Sequence, residues 1–329
     1  MITRRLLLFM LVAGPAIFPA CSRRGTDLPH HRTIAGLVYQ EDQFFRFVLL
    51  GMHDAAAARG AEFLEADSDG KPDREIQLIN TYVARGVDAI VISPLSARAS
   101  GAALTRAREK GITIVTYNTT VEGNLTAAFV ESDQVDLGRE TGRAAREYIQ
   151  RRLGGKARIA LLEFQSQAPE QNLMRVSGFR EEVTQLPGVV IVAEQDAWLA
   201  EQAVRRAGDI LTAHPDLDIL WGANEGATVG SVMAVRNAGR GSRVAVFGTD
   251  AGEQIAEFLL ADDGILQAVT AQQPFEIGSR AVTSALDVLD GKTVPPRQSL
   301  PGVLLSRTEP EGVRSFARRL GELTRRGQQ

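Results

Sequence analysis

Two periodicities alternate along this chain. A short apolar run over 33–39 reads as a buried strand, and further strands are predicted over 61–66, 88–93, 112–117 and 127–131. Between them, apolar residues recur at helical spacing over 44–59, 72–85, 96–110 and 136–152. In the first of these helices Phe44, Phe45, Val48, Leu49, Met52, Ala55 and Ala56 fall at helical spacing, and Gly60 stops it. Gly86 and Gly111 close the next two. The alternation then restarts. Strands are predicted over 157–163, 189–194, 218–221, 244–247 and 266–271, with helices over 170–185, 199–213, 225–237, 252–260 and 274–290. A short strand at 303–306 and an amphipathic helix at 313–326 end the pattern. Regular β-α alternation with short loops predicts parallel sheets wound with helices on both faces. Two such runs, dividing near Ser132 and Asp133, predict an α/β fold of two similar doubly wound lobes.

The first residues break the alternation. Thr3-Arg4-Arg5 precedes an apolar stretch over 6–18, too short for a membrane span, which takes about 20 residues. A basic start followed by such a stretch is the pattern of an export signal over 1–21. The lone cysteine, Cys21, follows directly and resembles the lipid-modified cysteine of bacterial lipoproteins. Residues 22–32 read as a linker.

Composition narrows the chemistry. The 329 residues are 44% hydrophobic and 23% charged, as in ordinary globular proteins. A formal net charge of −3 argues against a nucleic-acid partner. One cysteine permits no internal disulfide and no cysteine-based zinc site. His30, His31, His53 and His214 lack metal-ligand spacing. No G-x-G-x-x-G follows the first strand, no G-x-S-x-G elbow occurs, and Gly291-Lys292-Thr293 lacks the upstream glycine of a P-loop. No catalytic constellation, metal or cofactor is expected.

In open parallel sheets, ligands bind beyond the carboxyl ends of the strands. Those ends carry Gln40 to Phe45, Asp67, Ser93-Pro94 and Asn118-Thr119 in the first run. In the second they carry Gln165, Trp198, Asn224-Glu225, Asp250 and Gln272. Aromatic rings beside carboxylates and amides suit a sugar or polyol. Its hydroxyls both donate and accept hydrogen bonds, and its C–H face covers an aromatic ring.

Over 33–308 the chain resembles the type I periplasmic sugar-binding proteins, the ribose-binding-like receptors of ABC transporters. The resemblance is carried by residues 34–38 with Phe44-Phe45, by the run Gly86-Val87-Asp88-Ala89-Ile90-Val91-Ile92-Ser93-Pro94, and by residues 111–118. Ala223-Asn224-Glu225, Gly248-Thr249-Asp250-Ala251 and residues 271–278 complete it, in the family's order. It implies two lobes joined by a three-segment hinge that includes Ser132 and Asp133. The N-terminal lobe would comprise 33–132 plus 274–301, and the C-terminal lobe 133–273 plus 302–329. Phe44 and Trp198 would sandwich a ligand, with Phe45 supporting or joining the stack. Asp42, Asn118, Arg175, Asn224, Asp250 and Gln272 would supply polar contacts.

This sequence departs from the ribose binders in several places. Asn118-Thr119 stands where they carry Asp-Arg, Leu173 where a cleft Arg falls, Thr249 for an aromatic and Gln43 for a Pro. Ribose itself is therefore not implied. The expected protein is an exported monomeric receptor for a small carbohydrate or polyol. Its partner would be an ABC-transporter permease, and it would meet the membrane only through the lipid on Cys21. A sensor presenting its ligand to a chemoreceptor or histidine kinase shares these features, and an exported sugar-modifying enzyme is the remaining alternative.

Overall fold

A computed structural model describes residues 31–327; the signal-like segment, Cys21 and most of the linker lie outside them. The order of elements is the expected alternation. In the first half, β1 (Thr33–Val38), β2 (Glu62–Asp67), β3 (Ala89–Ile92), β4 (Thr113–Tyr117) and β5 (Ala128–Ser132) alternate with α1 (Gln43–Ala58), α2 (Pro72–Arg85) and α3 (Ala97–Glu109). Helix α4 (Gln134–Arg152) opens the second half. It contains β6 (Lys156–Glu163), α5 (Pro169–Val183), β7 (Gly188–Asp196), α6 (Ala200–Ala213), β8 (Ile219–Gly222) and α7 (Glu225–Asn237). There follow β9 (Ala245–Thr249), α8 (Glu253–Leu260), β10 (Leu266–Ala271), α9 (Pro274–Leu289), β11 (Arg297–Leu300), β12 (Val303–Ser306) and α10 (Pro310–Arg326).

These strands form two six-stranded sheets. The first has the order β11-β5-β4-β3-β1-β2 and the second β12-β10-β9-β8-β6-β7. Leaving out the last strand of each, both follow one doubly wound pattern, 2-1-3-4-5, with every pair parallel. Only β12 runs antiparallel, against β10. Such sheets have a switch point where the strand order reverses, between β1 and β3 in one and β6 and β8 in the other. A crevice opens there beyond the carboxyl ends.

One strand is absent from the expected pattern. Residues 297–300 carry no strand expectation, yet they form β11 at the edge of the first sheet, parallel to β5. Arg297, Gln298 and Ser299 suit an edge position, where one side faces water.

The chain passes between the sheets three times, after Ser132, after Ala271 and after Leu300. The three passages are tied together. The Asp133 amide donates to the Leu300 carbonyl (2.8 Å), Ser132 Oγ donates to Gln272 Oε1 (2.7 Å), and Gln273 Nε2 donates to the Pro301 carbonyl (3.0 Å). The Gly302 amide donates to Asp136 Oδ2 (3.0 Å). Asp133 itself caps α4 through a 3.0 Å bond from the Asp136 amide.

The core of each sheet is sealed by a close helix pair. In the second, α4 packs on α5 at Gly138 and Gly178. A Cβ at Gly138 would fall 1.9 Å from the Arg175 carbonyl oxygen, and one at Gly178 2.1 Å from that of Val135. Only glycine admits this approach, and it seats the Arg175 turn against Gln134. Beneath lie Phe179 and Trp221, stacked at 4.3 Å between centroids. In the first sheet α9 closes over α1, burying Ile277, Ala281, Val282 and Ala285 against Ile34, Phe45, Val48 and Met52. Helix α10 packs on the second core through Val313 and Phe316. It reaches back to the first sheet's helices by Arg319–Glu276 (2.9 Å) and Arg326–Asp54 (2.6 Å) ion pairs. No described helix is long and apolar enough to cross a membrane.

Candidate functional site

Between the two sets of carboxyl ends lies a cleft of about 580 Å³. Asp42, Phe44, Phe45, Asn118, Arg175, Trp198, Asn224, Asp250 and Gln272 all line it. Asp67, Ser93, Pro94, Thr119 and Gln165, also at strand ends, do not. Towards α10 the cleft continues along Phe47, Phe275, Phe316 and Leu320.

The first wall is built on the start of α1. Asp42 caps this helix, its Oδ1 accepting from the Phe45 amide (2.9 Å), while Oδ2 accepts from Gln40 Nε2. The cap turns the next residues so that Phe44 lies half-exposed and Phe45 points inward. Phe45 is 2% exposed, packed on Tyr39 (4.5 Å) and edge-on to Phe44 (5.2 Å). It supports the Phe44 ring from behind. Tyr39 lines the cleft beside it, and burial, helped by the Asp42 charge, pushes its hydroxyl up to about 12, so it stays a neutral donor. Asn118 ends β4 in the left-handed conformation (φ 58°) that Asn tolerates better than most residues. Its carbonyl accepts from Gln171 Nε2 of α5 across the cleft (3.1 Å).

The second wall rests on Arg175, a buried guanidinium with four bonds. Nε and Nη2 donate to Gln134 Oε1 (3.0 and 2.6 Å), and Nη1 donates to the Ala223 carbonyl (2.7 Å) and Asp250 Oδ2 (3.3 Å). The cation also lies 4.9 Å over the Phe164 ring. Burial pulls its pKa down and the Asp250 carboxylate holds it up. Asp250, at φ 68°, accepts from Gln272 Nε2 on Oδ1 (2.7 Å). Ser132, Gln272, Asp250, Arg175 and Gln134 therefore form one polar chain running from the hinge passages into the second lobe.

Trp198 lies at the rim, 36% exposed and tilted on Phe164 at 5.8 Å. Its carbonyl accepts from Asn224 Nδ2 (3.0 Å), and Asn224 Oδ1 caps α7 by accepting from the Ala227 amide (3.0 Å). Asn224 thus fixes both the ring's segment and the helix start. Glu225, the first residue of α7, lines the cleft with its acid pushed up to about 7, by burial first and then by the Asp250 and Asp42 charges.

Tyr39, Gln40, Phe164 and Gln171 are lining residues that the family resemblance does not single out, and Glu225 is one that it includes in a motif without a contact role. Gln40 and Glu225 carry a strand-end signal in the sequence. Phe164 sits just after β6 and could have been read the same way. Gln171 carries no such signal, since only the approach of α5 to β4 places it. Of the departures from the ribose binders, Leu173 is 70% exposed and outside the cleft lining, and Thr249 is fully buried. Among the described residues no cluster of His, Cys, Asp and Glu could hold a metal ion.

Two like lobes, each offering the carboxyl ends of a doubly wound sheet to a shared cleft, define a type I periplasmic binding protein. The chain belongs to that family: the periplasmic binding protein domain model matches residues 37–293. It is 29% identical over 296 residues to the ABC transporter periplasmic-binding protein YphF of Escherichia coli K12, covering 88% of each chain. It is 27% identical over 323 residues to the D-ribose/D-allose-binding protein of Pseudomonas aeruginosa, covering 93% of this chain and 97% of the relative. The fold matches an ABC transporter periplasmic solute binding protein from Actinobacillus succinogenes with bound D-allose. The TM-score is 0.77 at 24% identity, over 85% of this chain and 99% of that one. A solute binding protein from Bacillus halodurans with bound myo-inositol matches at TM-score 0.74 and 21% identity, over 88% and 98%. The resemblance read from the sequence and the two-lobed α/β fold it implies both hold.

Proposed function

We propose that this protein is the solute receptor of an ABC transporter and binds a small carbohydrate or polyol between its lobes. The observation that carries this reading is the pairing of half-exposed rings, Phe44 and Trp198, with Asp42, Asn118 and Asp250 in one cleft. Sugar hydroxyls would bond the carboxylates and amides, and the rings would cover the C–H face. The names of the relatives, which specify ribose and allose, support the ligand class. Because ligand touches both lobes only when they approach, binding favours the closed form. The three passages, with Ser132 and Asp133 at the first, serve as the hinge. The closed form is the one a permease docks. The receptor performs no chemistry, works as a monomer, and is exported and anchored through a lipid on Cys21.

The test is a thermal-shift screen of pentoses, hexoses, polyols and inositols against the purified protein. A ligand at 100 times its dissociation constant stabilises the native state by about 2.7 kcal/mol, a shift of several degrees. The expected result is a sugar or polyol hit that weakens at least tenfold in Asp250→Ala. The absence of any shift would overturn the ligand class. Anchoring is checked by radiolabelled palmitate, which should enter the wild type and not Cys21→Ser.

A further inference from the structure

The charges lining the cleft do not balance. Its cations are Arg175 and Arg319; no lysine or histidine lines it. Arg175 is committed to Asp250, and Arg319 to Glu276. Asp42 and Glu225 remain without a cation. Asp42 has both oxygens bonded, to the Phe45 amide and Gln40. Glu225 differs. Among the described residues its carboxyl group has no hydrogen bond and no ion pair.

The position of Glu225 is as telling as its lack of partners. It starts α7 on the second lobe, next to the capping residue Asn224. A Cβ built on Gly252 would meet Glu225 Oε1 at 2.5 Å and Gln43 Oε1 at 3.0 Å. Gln43 starts α1 on the first lobe. Both side chains line the cleft, and their acceptor oxygens come together against the Gly252 backbone from opposite lobes. The charged groups bearing on Glu225 are all of one sign. Asp42 faces it from the α1 cap and Asp250 from the end of β9, whose Arg175 partner is spent. On α8, Glu253 is turned to Thr324.

We propose that Glu225 is a specificity-determining residue that selects a ligand bearing an amine, an amino sugar or aminopolyol, over its neutral and carboxylate counterparts. This rests on the carbohydrate-receptor reading above. The ammonium would sit on the cleft side of Glu225 and Gln43 and donate to Glu225, with Asp42 adding long-range attraction. A carboxylate-bearing sugar would face Glu225 and Asp42 with no free guanidinium. An ammonium there would also hold Glu225 ionised, so near pH 7 its binding should release a proton.

Isothermal titration at pH 6, 7 and 8 tests this with matched sets: 6-amino-6-deoxyglucose, glucose and glucuronate, their galactose counterparts, and glucosamine. The expected result is an amino sugar binding at least tenfold tighter than its neutral parent, with no binding of the uronate. Proton release near pH 7, read from buffers of different ionisation enthalpy, should accompany amine binding. Glu225→Gln should abolish both the amine preference and the proton release. Neutral sugars that bind as well as or better than amines would overturn the inference and leave the carbohydrate reading intact. An amine preference that survives in Glu225→Gln would overturn the role of Glu225. No binding by any member would sink both.

Discussion

The Arg175 guanidinium donates to Asp250 at 3.3 Å, and the two groups differ sharply in exposure, 4% against 20% of their side chains. Arg175 is the buried anchor, and Asp250 is its outlet to the cleft. Removing the acid leaves a buried cation with Gln134 and the Ala223 carbonyl but no counter-charge. Breaking a fully buried pair costs 3–5 kcal/mol. With Asp250 partly solvated, Asp250→Ala should cost about 2 kcal/mol, read as a lowered midpoint in urea at pH 7. A variant as stable as wild type would mean that the pair is decorative.

Neighbouring rings should separate stability from binding. Phe45 is sealed in the first core, so Phe45→Ala should lose about 3–5 kcal/mol of stability. Phe44 packs only at the edge of that core, and Phe44→Ala should cost far less stability while weakening the ligand at least tenfold. Denaturation and titration of both variants give the comparison; equal stability losses would contradict it.

Gln171 reaches across the cleft to the Asn118 carbonyl. Gln171→Ala removes one neutral hydrogen bond that holds the lobes together, worth about 1 kcal/mol. The ligand-free protein should become more open, with a larger radius of gyration in X-ray scattering. Affinity should fall about fivefold, since the closed form is populated less. Unchanged scattering would show that the bond does not set the equilibrium.

Glu225 sets a pH dependence whose sign is fixed by the direction of its shift. Its acid rises from 4.5 to about 7, so the folded state holds a proton that the unfolded state has lost between those values. Stability contributed by the protonated group is complete below 4.5 and is lost as pH rises through 7. The loss is on the order of 2–3 kcal/mol. Urea denaturation at pH 5, 6, 7 and 8 should show Glu225→Gln gaining on wild type as pH rises. Parallel curves would place Glu225 in water.

The two wound sheets are legible in the sequence because strands buried on both faces read as unbroken apolar runs, as in Ala89-Ile90-Val91-Ile92. β11 is not legible, since the edge residues Arg297, Gln298 and Ser299 carry no apolar signal. In the site, strand-end position alone marks Asp42, Asn224 and Asp250. It does not reveal that Asp42 and Asn224 also cap helices, nor that Arg175 is held by residues 41, 48 and 75 positions away. The raised pKa of Glu225 is likewise invisible in sequence. It depends on burial and on charges that only the folded chain brings near.

In each lobe one face of the sheet is packed by a continuous stretch of chain, residues 35–125 or 145–268, while the other face needs elements from near the end, and this sets the order in which the molecule can be completed. Every parallel strand of the second sheet is synthesised before α9 and β11, yet those two elements seal the first. Until Ile277, Val282 and Leu300 have emerged, the cluster around Ile34, Val48 and Met52 is incomplete. A growing chain therefore carries an unsealed apolar face for most of its synthesis. Completion of both lobes waits for the residues from 274 onward, and a ribosome stalled before them would release a chain with neither half finished.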